Sequence, residues 1–382
     1  MARPRIYLDY NATAPVRSEA LAAFTRSAVE GGNASSVHAE GRAARAALET
    51  ARRDVAALPG ARPDGVTFTS GGTEAANLAL APVSLPGRAR IDRLLIGATE
   101  HVAVTKGHRF GAEAVGTVPV TPDGIVDLGR LASMIRSDAP AMLALQAANN
   151  ETGVIQPIAA AAALVHAAGG LLVCDAVQAA GRIDCRALGA DVVLLSGHKL
   201  GGLPGTGAAV VLRDDLAVLP LVRGGSQERG LRAGTENVPA VTAFGVAARI
   251  AAEADEGPRL AALRDRFEAA LRSLAAEVRI FGETVARLPN TSAFSVPGIE
   301  AERLMMLLDL GGIAVSSGAA CSSGKVGRSH VLEAMGIEPD LRRGAIRVSF
   351  GWRSVEADVD AAVAVLGPAL ARLAGRPMRS AA

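Results

Sequence analysis

Residues 171–199 read LLVCDAVQAAGRIDCRALGADVVLLSGHK. Two apolar runs, Leu171–Cys174 and Val192–Leu195, each end in residues that chemistry can use. The first ends at Asp175, with Gln178 close behind it, and the second leads into Ser196-Gly197-His198-Lys199. Runs so short and so uniformly apolar fit strands buried on both faces of a parallel sheet with helices packed over it. In such sheets ligands gather beyond the carboxyl ends of the strands. An aspartate placed there is costly to bury unless a cation faces it. A lysine between a buried strand and the glycine-rich run 201–207 is partly desolvated, which lowers an amine's pKa and makes it a usable nucleophile. A lone lysine is most often a solvated surface residue. A strand-end aspartate followed one strand–helix unit later by Ser-Gly-His-Lys is much harder to dismiss.

The same pattern extends outward in both directions. Further strands are predicted at Val66–Thr69, Leu94–Ala98, Val115–Val120, Met142–Gln146 and Ala208–Leu212. Ala-rich helical stretches separate them at Glu74–Leu80, Leu128–Arg136 and Ile158–Ala167. Alternation of this kind implies an α/β fold around a mostly parallel seven-stranded sheet. From about Arg249 the pattern changes to a charged helix (Pro258–Val278), strand Thr291–Val296, helix Ala301–Leu310, strands Ile313–Ser316 and Ala345–Phe350, and a final helix Val355–Leu373. That reads as a smaller α+β domain, which the strand at Tyr7–Asp9 is a candidate to join. The expected division is a large domain over 15–255 and a small one built from 1–14 with 256–382.

Composition bounds the functional classes. A chain of 382 residues holds two or three domains at roughly 100–200 residues each. With 49% hydrophobic and 20% charged residues, disorder driven by self-repulsion is excluded. Lys and Arg total 40 against 38 Asp and Glu, so the net charge of +2 gives no broad electrostatic reason to bind nucleic acid. Aromatics at 3% remove the stacking platforms of single-strand binders. The stretch 152–174 carries no charged residue, yet Pro157 and the pair Gly169-Gly170 make it a helix and a buried strand rather than a membrane span. Three cysteines, Cys174, Cys185 and Cys321, form no disulfide framework and no C-x-x-C metal spacing, so no metal is expected. A charged N-terminus without an apolar signal core points to the cytoplasm.

Other strand ends also carry candidates. Ser70-Gly71-Gly72-Thr73-Glu74 follows a strand and opens a helix, as a phosphate cradle does, although most such loops are ordinary caps. Gly205-Thr206-Gly207 lacks a third glycine, and Gly324-Lys325 is followed by Val326, so neither nucleotide motif is supported. Cys174 sits inside an apolar strand and reads as a small core residue. Cys321 lies instead in the small, polar run Ser316-Ser317-Gly318-Ala319-Ala320-Cys321-Ser322-Ser323-Gly324-Lys325, a setting that permits an exposed thiolate.

The motifs together resemble the cysteine desulfurases, pyridoxal-phosphate enzymes of the class V aminotransferase family, in their NifS/IscS-like group. The resemblance is carried by Tyr7-Leu8-Asp9-Tyr10-Asn11-Ala12-Thr13, Gly32-Asn33-Ala34-Ser35-Ser36-Val37-His38, Phe68-Thr69-Ser70-Gly71-Gly72-Thr73-Glu74 and Thr99-Glu100-His101. Asn149-Asn150-Glu151-Thr152-Gly153, Asp175-Ala176-Val177-Gln178, Ser196-Gly197-His198-Lys199 and the stretch Gly225 to Thr235 continue it. The cysteine run and Arg347-Val348-Ser349 complete it, so it covers nearly the whole chain in family order.

The resemblance implies the pyridoxal-phosphate-dependent transferase fold (fold type I) and a set of roles. Lys199 would hold the cofactor as a Schiff base and Asp175 would pair with its ring nitrogen. Gln178 and Asn150 would hydrogen-bond the ring hydroxyl oxygen. Gly72, Thr73, Ser196, Gly197 and His198 would hold the phosphate, with Thr235 reaching it from the second subunit of a homodimer. His101 would stack on the ring and shuttle protons, while Arg347, Asn150 and Asn33 would contact the substrate, L-cysteine. The Cys321 thiolate would take the substrate sulfur as a persulfide, release L-alanine, and pass the sulfur to a protein acceptor such as an iron–sulfur scaffold or a sulfur carrier. A plain aminotransferase needs no such thiol. The sequence departs from the family at Ala34, where proline is usual, and at Lys325-Val326-Gly327-Arg328, where an acidic-proline sequence is commoner. No extended C-terminal tail of the scaffold-engaging kind follows Met378.

Overall fold

The computed structural model describes residues 5–317 and 328–375. After the short strand β1 (Ile6–Tyr7), the apolar runs form β2 (Val66–Thr69), β3 (Arg93–Gly97), β4 (Val115–Val118), β5 (Ala141–Gln146), β6 (Leu171–Asp175), β7 (Val192–Ser196) and β8 (Gly207–Val211). They make one seven-stranded sheet in the order β2-β8-β7-β6-β5-β3-β4. Neighbours from β4 through β7 run parallel, and β8 is antiparallel to both β7 and β2. The sheet is therefore mostly parallel, as the strand pattern implies. Every residue of β5 is buried, and β6 stays buried until its last residue. Only aliphatic side chains pack on both faces without stranding polar atoms, which is why these strands read as unbroken apolar runs.

The covering helices are α1 (Ser18–Glu30), α2 (Ala39–Ala57), α3 (Gly72–Ala79), α4 (Val102–Thr105), α5 (Leu128–Met134), α6 (Ile158–Ala167) and α7 (Val238–Glu253). Sequence reading places α3, α5 and α6 but not α1, α2 or α7. Helix α2 turns a stripe of Gly41, Ala44, Leu48, Ala51 and Val55 inward, a helical spacing in which glycine and alanine outnumber the larger residues and so a faint hydrophobic signal. The charge-free stretch becomes α6 and β6, and among the described residues no helix is long and apolar enough to cross a membrane.

Beyond α7 a second core forms around α8 (Gly257–Leu274), β9 (Arg279–Ile280), β10 (Thr291–Ser295), α9 (Ala301–Leu310), β11 (Ile313–Ala314) and β12 (Ser316–Ser317). It continues with α10 (His330–Ala334), α11 (Pro339–Arg343), β13 (Ile346–Ser349) and α12 (Glu356–Leu373). Strands β12-β13-β10-β9 form an antiparallel sheet, and β1 pairs in parallel with β11. Leu8 joins this second core beside Phe294 and Phe350, whose rings lie 5.9 and 6.2 Å from Phe267. The single strand expected over Ile313–Ser316 is instead two short ones. The first pairs with the N-terminal strand and the second with β13, and a change of partner within one run leaves no mark on its composition.

One buried ion pair fastens the segment after β8 to the large sheet. Arg52 on α2 makes two 2.8 Å hydrogen bonds to Glu228, and both residues are almost fully buried. Glu228 Oε2 also accepts from the Phe68 amide at 2.8 Å, while the Arg52 guanidinium lies 4.9 Å over the Phe68 ring. The anchoring tolerates left-handed backbone at Glu228 (φ 46°) and Arg229 (φ 57°). Glu228→Ala, which strands a buried guanidinium, should cost about 3–5 kcal/mol. A urea midpoint within error of the wild type would refute that view of the pair.

Candidate functional site

The carboxyl ends of β2, β3, β5, β6 and β7 converge on a cavity of about 250 Å³. Gly72, Thr73, His101, Asn150, Asp175, Gln178, Ser196, His198 and Lys199 line it, together with Asn11, Ala103, Gln146, Ala148 and Val177. Residues separated by more than a hundred positions meet here because parallel strands all deliver their last residues to the same edge.

At one end β2 passes through Ser70 and Gly71 into α3. The first amides of a helix have no partner within it and favour an anion. The backbone is drawn tight around this turn: a Cβ at Gly72 would fall 3.0 Å from Val177 Cγ2, and one at Gly207 on β8 would fall 2.5 Å from the Gly71 carbonyl carbon. Glu74 fixes the turn by accepting from the Ser70 amide at 2.8 Å, and Arg232 donates to its other oxygen at 2.9 Å.

Asp175 ends β6 and accepts from the Val177 amide at 2.9 Å. Burial pushes its carboxyl up from the usual range, opposed by that amide and by the nearby His101 and Lys199. His101 caps α4: its Nδ1 accepts from the Ala103 amide at 3.1 Å, so the neutral ring carries its hydrogen on Nε2. Burial holds the His101 pKa down, against the pull of Asp175. His198 Nδ1 lies 3.1 Å from Thr13 Oγ1, and burial beside Lys199 lowers its pKa to about 4. Lys199 follows β7 on a short 3-10 turn, Gly197–Lys199, and its Nζ donates to the carbonyls of Asn11 and Ala12, the latter at 2.8 Å.

The Asn11 carbonyl also accepts from Gln178 Nε2 at 2.9 Å. Asn11 is itself fixed, donating from Nδ2 to Thr291 Oγ1 at 2.9 Å and to the Asn150 carbonyl at 3.2 Å, and from its amide to Ser349 Oγ at 3.0 Å. The N-terminal segment is thus a strap between the small sheet and the lysine. Sequence reading assigned Asn11 no role, although its motif stood out, because its partners lie far away in the chain. Gln178 Oε1 accepts from Arg182, whose burial without a carboxylate partner lowers its pKa to about 10.

Among the described residues, four expected site residues, Arg347, Asn33, Thr235 and Gly197, fall outside the cavity lining, and the Gly197 amide donates to the Thr206 carbonyl at 2.9 Å. Arg347 on β13 is 1% exposed and donates to the Asn150 carbonyl at 2.9 Å and to Asp9 Oδ1 at 2.6 Å, while its Nε has no partner among the described residues. Asn33 is exposed between α1 and α2, where its Oδ1 accepts from the Ser35 amide at 2.9 Å. Thr235 is exposed and is not part of this chain's own cavity lining. Cys321 lies outside the described residues. Cys174 and Cys185 are buried, which raises both thiol pKa values, that of Cys185 to about 12. Among the described residues no group of three or more His, Cys, Asp or Glu is placed to hold a metal ion.

Two buried carboxyls beside the cavity carried no sequence signal beyond their motifs. Glu100 is pushed well above its usual range by burial and by Asp175. Glu151, next to Asn150, is raised to about 7 by burial, against the pull of the Ser329 hydroxyl and Arg347. Between the ordinary glutamate range and about pH 7 the folded protein therefore holds a proton at Glu151 that the unfolded chain has lost. That contribution to stability is full at acid pH and disappears as the pH rises through 7. Measured against Glu151→Gln, the wild type should lose about 2–3 kcal/mol of relative stability between pH 5 and pH 8. A difference that stays flat across this window would rule the burial effect out.

Comparison with known proteins matches this arrangement to one family. The family model for aminotransferase class-V covers residues 6–362. A cysteine desulfurase of Cereibacter sphaeroides is 41% identical over 379 residues, spanning 97% of this chain and 96% of that protein. An IscS-like cysteine desulfurase of Mycobacterium tuberculosis is 39% identical over 382 residues, spanning 96% of each chain. The crystal structure of a NifS-like protein from Rickettsia africae superposes with a TM-score of 0.84 at 30% identity, over 97% of this chain and 99% of that one. With its strand-end aspartate and lysine in place and these likenesses running nearly end to end, the chain belongs to the class V aminotransferase family, in its NifS/IscS-like cysteine desulfurase group.

Proposed function

We propose that the chain removes sulfur from free L-cysteine, giving L-alanine and a persulfide on Cys321. The observation that carries the reading is the cavity that joins Asp175, Lys199 and His101 to the α3 N-terminus. Enzymes of this family work with pyridoxal phosphate, and the residues present fit that group. The tight Gly72 turn and the α3 amides suit a phosphate, assisted by Thr73, Ser196 and His198. Buried Asp175 lacks a full cationic counterpart on its own strand and suits a protonated ring nitrogen. Gln178 and Asn150 suit the ring hydroxyl oxygen, and Lys199 has the amine that binds the cofactor.

Bound pyridoxal phosphate supplies an electron sink for negative charge developing on the substrate. Around it, the chain's own residues orient the substrate and move its protons. Lys199 would take the proton from the substrate Cα. His101, kept neutral by burial with its hydrogen on Nε2, would serve these proton movements by donating a hydrogen bond from Nε2. Arg347 holds the substrate carboxylate, a role supported by its unpartnered Nε and by its attachment to Asn150. The Cys321 thiolate attacks the substrate sulfur: a sulfur–sulfur bond forms, the carbon–sulfur bond breaks, and its electron pair stays on the carbon skeleton. Protonation of that skeleton yields L-alanine, and the persulfide sulfur passes to a protein acceptor.

The reading includes a homodimer in which Thr235 completes the phosphate site of the second subunit. Its exposure, and the exposed apolar residues Leu21, Val29, Val37, Leu219 and Leu221, support that arrangement. Asn33 would reach substrate only if loop 31–38 approaches the cavity in the assembly. Separate hydrophobic cores support a large unit over 15–255 and a small one over 1–14 with 256–382.

Purified protein should carry a cofactor absorbance that is lost from covalent linkage in Lys199→Ala. Cys321→Ala should release less than about 1% of the wild-type sulfide from L-cysteine, a loss in keeping with removal of a covalent catalyst. It should keep the cofactor absorbance and the spectral change that cysteine induces. Sulfide release that survives in this variant would overturn the mechanism.

A further inference from the structure

We infer that Glu151 and Ser329 are a positioning pair for the thiol chemistry, fixing the chain eight residues after Cys321 against the loop that carries Asn150. The inference rests on the Cys321 reading above. Ser329 Oγ donates to Glu151 Oε2 at 2.5 Å, and the two residues are 3% and 5% exposed. Glu151 follows Asn150 on the loop after β5, and Asn149 Oδ1 holds its amide at 2.8 Å. At the next position, His330 Nε2 donates to the Glu100 carbonyl at 2.9 Å, and Glu100 precedes His101 on the loop after β3.

Ser329 and His330, eight and nine residues after Cys321 in the sequence, therefore make their contacts to the two strand-end loops that carry Asn150 and His101. Neither Glu151 nor Ser329 lines the cavity, so any effect on chemistry passes through other groups. A buried carboxyl demands a fixed donor, which makes this contact specific to one seating of the small-domain chain on the large sheet. Cys321 stands eight residues before Ser329 in the sequence. An extended chain of that length reaches at most about 28 Å. The anchor sets where that reach is centred, and a thiol must arrive within bond-forming distance of the substrate sulfur to react.

Ser329 also caps α10, accepting from the Leu332 amide at 3.0 Å, so the test must separate the two contacts. Ser329→Asp keeps a capping oxygen but offers Glu151 no donor once both carboxyls are ionised, while Ser329→Thr keeps both contacts. The variants are therefore assayed at about pH 9, well above the Glu151 pKa of about 7. Glu151→Met removes the acceptor at similar volume, and Glu151→Gln keeps an amide oxygen for it. The holoenzymes would be compared by kcat and KM for sulfide release from L-cysteine, by the cysteine-induced absorbance change, by Cys321 persulfide formed in a single turnover, and by Tm. Ser329→Asp and Glu151→Met should lower kcat and single-turnover persulfide by about tenfold to a hundredfold. KM and the absorbance change should stay near wild type, and the Thr and Gln variants should recover most of the rate.

Wild-type kcat in Ser329→Asp and Glu151→Met would overturn the inference. So would an equal loss of the absorbance change, a loss that tracks Tm alone, or failure of the Thr and Gln variants to recover. Cys321→Ala, run in parallel, separates the two readings. If it still releases sulfide, the Cys321 reading fails and the pair's role with it. If it is inactive while the pair variants match wild type, only the pair's role fails.

Discussion

A carboxyl at the end of a strand buried on both faces is the constraint around which this site is arranged. Asp175 is largely withdrawn from water there, and one amide hydrogen bond from Val177 does not offset the loss. The compensation is electrostatic and must come from the same sheet edge: His101 after β3 and Lys199 after β7. His101 is in turn perturbed by its own burial. A carboxylate that favours a cation, beside a histidine held neutral and an amine anchored on carbonyls, is an environment primed for an aromatic nitrogen base and a proton to move.

The second organising feature is the N-terminal strap. It pairs with β11, bridges Asp9 to Ser349, and then lays the Asn11 and Ala12 carbonyls against Lys199. Asn11 binds residues of β10 and β13 as well as the Asn150 carbonyl, so the small sheet is coupled to the large-sheet site through one buried side chain. Arg347 does the same from β13, joining Asp9 and Asn150. The lysine, the candidate carboxylate clamp and the small sheet are consequently one hydrogen-bonded unit. Displacing any of them leaves a buried polar group unsatisfied.

How far the sequence could be read depended on what each segment is packed against. All seven main strands were legible, because burial on both faces writes an uninterrupted apolar run into each. The helices α1, α2 and α7 were not, since they meet one another through alanine and glycine and carry little hydrophobic contrast. The two pairings within 313–317 were hidden for another reason, as strand partnership is a property of the neighbour and not of the strand. Asp175, Lys199, His101 and the Gly72 turn could be found because each sits directly after a strand. Glu151 and Ser329 matter only through partners distant in the chain, and no local spacing announces such a pairing.

The sequence by itself determined the α/β class, the parallel sheet, and the strand-end positions at which chemistry must lie. These follow from period, apolar run length and the rule that parallel strands end at a common edge. Family membership was also legible, because ordered motifs span nearly the entire chain. Tertiary structure alone decided how Asn11 bridges the two sheets and how Arg347 sits buried on Asp9. It alone decided that Glu151 meets Ser329. Those are choices about which polar groups satisfy each other once water is excluded, and that depends on where distant segments arrive in space.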